Sequence, residues 1–412
     1  MDRVILHADL NSFYASVECL YNPDIREKPV AVCGSEELRH GIVLAKNKHA
    51  QKDGVKTGDT IWQAKQKSPD LIVITPNFER YMYFSKAARS IYERYTDKVE
   101  NFGLDECWLD VTGSRLLFGS GEEIAEDIRN TIKNELGITV SVGISWNKIF
   151  AKLGSDLKKP DTCTLISKDN YQSVVWPLNA SDLLYVGRST KQKLYRHGLF
   201  TIGDIANADT YFLKNLLGKW GETLWAFANG YDPTLVQSSD SSSIIKSIGN
   251  SMTTPRDIEK EDDALKVITA LSESVAKRLR ENNLYCRTVQ ISLRNTDLAY
   301  EEHQVKLNST FISNEIAMAA LKILKLNYTW EKPLRSLGVR ACDLIGVGSC
   351  FQLDLYGSDI KREKYEQLEF ALDSIRSRFG SGSVRKAVLL YDELTGSDNA
   401  ITHDIHPVSY MR

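Results

Sequence analysis

Two neighbouring acids, Asp105 and Glu106, interrupt the otherwise apolar stretch "ENFGLDECWLDVTGS" at residues 100–114. A lone buried carboxylate neutralises, pairs or binds a metal. The alternative is a turn at Gly103 that points both acids at water. Two acids alone are not a metal site, so the chain must supply a partner. Asp9, at the end of the apolar run "RVILHADL", is that candidate. Three carboxylates on adjacent strands can hold two Mg²⁺ ions about 4 Å apart. Asp9 and Asp105 would bridge both ions, and Glu106 would favour the one that activates an attacking hydroxyl. The Leu10 carbonyl would complete the other, beside a triphosphate. Hard oxygen donors with no His or Cys nearby favour Mg²⁺ over Zn²⁺. A triphosphate also needs cations. Lys148, Lys152, Lys158 and Lys159 lie on or after one basic helix and Lys46, Lys48 and Lys52 around another, although lysine runs on helices are commonly solvated faces.

The elements that must position these acids follow from periodicity. A strand at 3–9, a helix at 77–97, a hairpin at 99–112, a helix at 121–136 and a strand at 138–145 give β-α-β-β-α-β order, the split βαβ arrangement. The expected product is an antiparallel sheet with helices on one face and the other face free. Its first strand lies beside the hairpin, so Asp9 meets Asp105 and Glu106. From about residue 169 the chain turns helical. "SDLLYVGRSTKQKLYRHGLFTIGDI" reads as helix, tight turn at Gly187, helix, and "YFLKNLLGKWGETLWAFANGYDP" repeats the plan around Gly218 and Gly221. Helix-hairpin-helix turns aim backbone amides at phosphates, which singles out Gly187 and Ser189; a small helical domain with no ligand is the alternative. After a Ser-rich linker at 237–247 the β-α-β-β-α-β order returns. There Val289, Ile291 and Leu293 face one side and Gln290, Ser292 and Arg294 the other, with Lys306 and Arg340 on the same polar face. Such a face suits a phosphate backbone or plain solvent.

With 412 residues the chain is too long for one core, and three or four units are expected. Hydrophobic residues make up 42% and charged residues 26%, as in soluble globular proteins. The 52 basic and 54 acidic residues leave a net charge of −2, so any nucleic-acid surface must be local. Seven cysteines without a CxxC argue for reduced thiols rather than disulfides or zinc. No run approaches the ~20 apolar residues of a membrane span, and the start is no signal peptide, so a cytoplasmic protein without membrane association is expected.

"HADLNSFYASVE", "GLDECWLD" and "VGISWNKIFAKLGSDLKKP" resemble the three signature blocks of the Y-family translesion DNA polymerases, the bacterial UmuC/DinB group. The resemblance runs from residue 1 to about 345 and includes "KSIG". It implies an α+β, multidomain right-hand polymerase. The ferredoxin-like palm would take 1–10 and 77–168, small fingers 11–76, and the helix-hairpin-helix thumb 169–232. A linker at 233–246, a second ferredoxin-like little finger at 247–346 and a C-terminal extension at 347–412 complete it. The implied activity is DNA-directed DNA polymerase, with two Mg²⁺ ions, primer–template DNA and dNTPs, inserting with low fidelity opposite damaged or undamaged template. Carried over by position, Asp9, Asp105 and Glu106 are the catalytic acids. Tyr14 is the steric gate against a ribose 2′-OH, Phe13 lies beside it against the nucleotide, and Lys159 binds triphosphate. One departure stands out: Lys48 and Gln51 occupy positions where family members often carry a phosphate-gripping Tyr and Arg, so the bidentate arginine is missing. "FQLDLYG" resembles the peptide that docks bacterial polymerases on the sliding clamp (beta subunit), with Gln352, Leu353, Leu355 and Tyr356 as anchors; an amphipathic edge strand is the alternative. Rival readings keep the palm but make it a nucleotide cyclase or Mg²⁺ nuclease, or make the chain a non-catalytic subunit docking on DNA and the clamp.

Overall fold

The computed structural model describes residues 2–35, 41–239, 245–346, 358–390 and 394–395. The chain divides into two compact units at Ser242 and Ser243, inside the Ser-rich stretch.

The first unit holds a five-stranded sheet in the order Val99–Asn101, Glu106–Asp110, Ile5–Leu10, Val140–Ser145, Cys163–Leu165. The first four strands are the expected ferredoxin-like set, mutually antiparallel. The fifth, unforeseen in the sequence, runs parallel to Val140–Ser145 at the edge. Alternation along Ile5–Leu10 divides its side chains. Leu6, Ala8 and Leu10 pack in one core with Tyr81, Ala88 and Ile91 of helix Phe78–Tyr92 and with Ile124 and Ile128 of helix Gly121–Leu136. That last helix starts at a Ser120–Glu123 capping box and stops at Gly137 in the left-handed region.

The other sheet face is not free, contrary to expectation. Helix Lys148–Leu157 lies across it: Ile5 packs with Trp108 and Ala151, and Trp108 Nε1 donates to the Lys148 carbonyl at 3.0 Å. The cause is Gly143. A Cβ there would stand 1.9 Å from the Ala151 carbonyl oxygen, so only glycine lets this helix approach the strand.

Residues 11–76 add a three-stranded sheet, Val43–Lys46, Val30–Cys33, Ile72–Ile74, with helices Lys48–Lys52 and Ile61–Lys67. Asn47 caps the first of these helices, accepting from the Ala50 amide at 3.0 Å. Helices Arg188–Arg196, Ile202–Asn207, Thr210–Leu217 and Lys219–Ala228 follow. The segment before Gly187 is a 3₁₀ turn, Ala180–Asp182, rather than the expected helix, so of the turns at Gly187 and Gly218 the second joins two α-helices and the first does not. Gly221 lets those two cross closely, since a Cβ on it would lie 2.1 Å from the Leu213 carbonyl oxygen. The linker begins later than its composition predicts. Val236 is buried in the cluster of Ile5 and Trp108, and the Gln237 and Ser239 amides donate to Glu100 Oε2 (2.9 Å) and the Asp97 carbonyl (3.1 Å).

In the second unit an antiparallel sheet runs Tyr300–Thr310, Leu284–Asn295, Leu334–Gly346, Ser247–Ile258. Helices Glu261–Glu281 and Ser313–Asn327 contribute to one core with Val289, Ile291 and Leu293. Element order matches the expected β-α-β-β-α-β, but strand order does not match the ferredoxin-like palm. In the palm the second hairpin strand returns to the centre, whereas here it stays at the edge and the last strand takes the central place. Tyr300–Thr310 carries Glu301, Glu302, His303 and Lys306, charges that suit an exposed edge. Part of the C-terminal extension packs on this unit. Glu369 and Asp373 of helix Ser358–Phe379 pair with buried Arg280 at 3.0 and 2.5 Å, Arg376 pairs with Glu273 at 3.2 Å, and Leu394 enters the core. The clamp-like residues Gln352, Leu353, Leu355 and Tyr356 lie outside the described residues.

Candidate active site

Strand register brings the acids together. Asp9 lies directly opposite Glu106 across the antiparallel pair, and the Leu10 amide donates to the Asp105 carbonyl at 3.0 Å. All three acids and Leu10 line one cavity of about 520 Å³. Helix Lys148–Leu157 and the turn after it deliver the countercharge. Lys152 Nζ stands 3.1 Å from Asp9 Oδ2, 2.8 Å from Glu106 Oε2 and 3.3 Å from Asp156. Lys159 Nζ stands 2.6 Å from Asp9 Oδ2 and 2.7 Å from Asp156. The spacing of Lys152, Asp156 and Lys159 turns all three to one side of the chain.

The field of this cluster separates the carboxyls. Burial, then the Asp9 and Glu106 charges, push Asp105 up to about 7. Burial alone would also raise Glu106, but His7 and Lys152 hold it down at about 2. Burial would lower Lys152 and Lys159, yet the acids hold both above the ordinary lysine range. His7 is fully buried, with Nε2 3.2 Å from Glu106 Oε2 and Nδ1 2.9 Å from Ser155 Oγ. Burial lowers its pKa, against the raising pull of Glu106 and Asp9. This corrects the expectation that no histidine lies near: the ligand atoms of His7, Asp9 and Glu106 fall within 4.8 Å of one another. Clustered carboxylate oxygens that draw two ammonium groups onto themselves are a donor set for hard divalent cations.

The nucleotide candidates divide. Phe13, Lys48, Gln51 and Lys159 line the same cavity. Tyr14 does not; it stacks on Tyr81 with ring centroids 4.2 Å apart and planes 13° from parallel. Lys46, on the cavity wall, reaches Thr57 Oγ1 at 3.2 Å. Lys148, one of the basic-helix candidates, is committed elsewhere: its Nζ lies 2.6 Å from Glu100 and 4.6 Å from the centre of the Trp108 ring.

Residues 8–156 match the impB/mucB/samB family, and residues 245–355 match the impB/mucB/samB family C-terminal domain. DNA polymerase IV of Acetivibrio thermocellus is 56% identical over 393 residues, 95% of this chain and 98% of that protein. DNA polymerase IV 2 of Bacillus subtilis is 36% identical over 398 residues, 94% of this chain and 95% of its own length. A solved structure, the Y-family DNA polymerase chimera Dbh-Dpo4(243-245)-Dbh, superposes with a TM-score of 0.73 at 25% identity, covering 83% of this chain and 99% of its own. The chain belongs to the Y-family DNA polymerases. It is a DNA-directed DNA polymerase of the translesion class, DinB-like and bacterial, and depends on divalent metal as the family does.

Within this Y-family chain the remaining sequence candidates fall on both units. Gly187 forms the N-cap of helix Arg188–Arg196, and Ser189 is exposed in its first turn. Arg294, Lys306 and Arg340 are exposed on one sheet face, Lys306 opposite Thr288 and Arg340 opposite Gln290. Sequence reasoning passed over His7 and did not distinguish Lys152 from its lysine neighbours. The available signals were the two-residue step from His7 to Asp9, which puts both on one strand face, and the four-residue step from Lys152 to Asp156. Asn11 was also passed over; its Oδ1 accepts from Thr139 Oγ1 (3.0 Å) and the Asp161 amide (2.8 Å), tying the end of the first strand to the loop after the basic helix. The six described cysteines are free, and no helix among the described residues is long and apolar enough to cross a membrane.

Proposed function

We propose that this polymerase inserts dNTPs opposite damaged or undamaged template with two Mg²⁺ ions held by Asp9, Asp105, Glu106 and the Leu10 carbonyl. The carrying observation is the meeting of three carboxylates in the cavity that Lys46, Lys48, Gln51 and Lys159 also line. Divalent cations bound there would lower the pKa of the primer hydroxyl and neutralise the triphosphate. Each side chain then has its own task. Glu106, kept ionised by His7 and Lys152, faces the hydroxyl side. Lys159, already drawn to Asp9, would bind the triphosphate. Lys48 grips phosphate as a point charge, and Gln51 gives up the fork that an arginine would supply. The Tyr14 ring, braced by Tyr81, blocks a 2′-OH, and Phe13 backs the sugar.

The palm would be 1–10 and 77–168, the fingers 11–76, the thumb 169–232 and the little finger 247–346, with the C-terminal extension at 347–412. Gly187 and Ser189 on the thumb, and Arg294, Lys306 and Arg340 on the little finger, would hold the primer–template backbone. Small fingers check pair geometry weakly, which supports low fidelity. The sliding clamp would engage Gln352, Leu353, Leu355 and Tyr356, and the protein would act in the cytoplasm. Primer extension on intact and lesion-bearing templates tests the assignment: Asp105→Ala and Glu106→Ala should each lose nearly all insertion while keeping primer–template affinity. Insertion within about tenfold of the parent in both would move the site elsewhere.

A further inference from the structure

Two exposed aromatic rings stand together on the helical domain, away from the carboxylate cavity. Tyr185 is 53% exposed and Trp220 54%, although large aromatic rings are more often buried. Their centroids are 5.5 Å apart with planes at 42°. With Leu217 and Leu224 as floor and Thr190 and Lys193 as wall, they open onto a cavity of about 270 Å³. Tyr185 is also strained, since its φ of 71° lies in the left-handed region that bulky residues avoid. A glycine would relieve that strain, yet the position carries a ring directed at the surface.

The surroundings are cationic. Residues 185–196, "YVGRSTKQKLYR", contain Arg188, Lys191, Lys193 and Arg196 and no acid. Among the described residues Lys193 has no carboxylate within salt-bridge distance, whereas Lys214 nearby in sequence is paired with Glu222 at 2.9 Å. Flat aromatic faces beside basic side chains are the chemistry of single-strand recognition: the rings stack on a base and the cations meet its phosphate. A base inside a duplex has both faces covered, so the occupant must be unpaired. The volume suits one nucleobase and no longer segment.

We infer that Tyr185, Trp220 and Lys193 form a stacking subsite for one unpaired nucleobase of single-stranded DNA, distinct from the nucleotide site at the carboxylates. This rests on the proposed thumb contact with DNA. Gly187 and Ser189, adjoining Tyr185 in the chain, would hold the neighbouring phosphate, and the aromatic pair adds a contact to the base itself.

Two probes separate base from backbone: a labelled oligothymidylate of about 12 nucleotides, and an abasic tetrahydrofuran oligomer of the same length. Full-length parent should bind the base-bearing probe more tightly. Tyr185→Gly with Trp220→Ala should remove about tenfold of that preference, the scale of one base stacked on an aromatic ring, and leave abasic affinity within about twofold. Trp220→Phe, which keeps a π-face, should restore most of it. Lys193→Gln should weaken both probes alike and flatten the salt dependence. Circular dichroism and thermal unfolding of each variant check the fold; both rings are half exposed, so the core is not opened. A preference unchanged in the double variant, or restored equally by Trp220→Leu and Trp220→Phe, overturns the stacking subsite. Parent that binds both probes equally also overturns it but leaves the thumb contact standing, and parent that binds neither overturns the thumb contact itself.

Discussion

Asp105→Asn should make the metal-free protein more stable while making it inactive, and the gain should depend on pH. The Asp105 carboxyl is pushed from its ordinary 3.8 up to about 7. Between roughly pH 4 and 7 the folded chain therefore holds a proton that the unfolded chain has released, so stability falls as pH rises through that window. A gap of about three pH units corresponds to about 4 kcal/mol at most. The carboxyl opens on the cavity, and solvent screening there brings a reasonable figure nearer 2 kcal/mol. For a unit of this size each kcal/mol moves the melting temperature by about 2–4 °C, so about 4–8 °C is expected. Asparagine carries no charge at any of these pH values and avoids the penalty.

The assay is thermal unfolding of parent and variant in EDTA from pH 5 to pH 9. The gap should be smallest at pH 5, widen up to about pH 7 and stay constant above it, with the variant higher. Excess Mg²⁺ should then raise the parent more than the variant, because the ion replaces the missing countercharge only where the carboxylate remains. A gap of equal size at pH 5 and pH 8 would mean that the effect is packing rather than charge. A variant no more stable than the parent at pH 8 would refute the electrostatic account of Asp105.

Tyr14→Ala should admit ribonucleotides, since the ring braced by Tyr81 is the proposed obstacle; equal ribonucleotide rejection by parent and variant in single-nucleotide insertion would place the gate elsewhere. Lys152→Met should lower metal-free thermal stability, as removing one partner of a buried ion pair costs about 3–5 kcal/mol, and should enlarge the stabilisation by Mg²⁺ in the same unfolding assay; a metal response no larger than the parent's would remove Lys152 as the internal countercharge. Leu355→Ala with Tyr356→Ala should reduce clamp-stimulated product length to the clamp-free level and spare single-nucleotide insertion; continued stimulation would mean that the clamp is bound through other residues.

The acids were legible because a strand ending in Asp9 and a hairpin carrying Asp105 and Glu106 can pair in few ways, and the observed register is one of them. The helix over the second palm face was written in the sequence but harder to read. Gly143 in a strand signals close approach of some backbone, yet nothing local says whose; the answer, Ala151, lies eight residues on, beyond a turn. Strand order in the second unit was not legible from alternation, which assigns each strand a face but not a neighbour. Only the charges of Tyr300–Thr310 hinted that this strand would be an edge. The strained turn at Tyr185 was hidden too: a tyrosine before Val186 and Gly187 reads as helix, and nothing in the residue types announces a positive φ there.

Charge balance ties the palm to its substrate. Asp9, Asp105, Glu106 and Asp156 carry four potential negative charges, and Lys152 and Lys159 carry two positive ones. The difference, four minus two, is what one divalent cation neutralises. A second cation in the same cavity would leave the cluster positive, unless a triphosphate entered with it. Lys159 would be freed in part to follow such a group, because a metal engaging Asp9 would take up one of the two carboxylates that hold it. On the proposed mechanism the lysines would serve as removable countercharges, holding the acids together before metal and nucleotide arrive and turning to phosphate afterwards. With Gln51 rather than an arginine on the cavity wall, that transfer from carboxylate to phosphate would fall more heavily on Lys159, Lys48 and Lys46, which line the same cavity. The same cluster accounts for the depressed Glu106 and the elevated Asp105, and it would leave the proposed nucleotide grip to point charges.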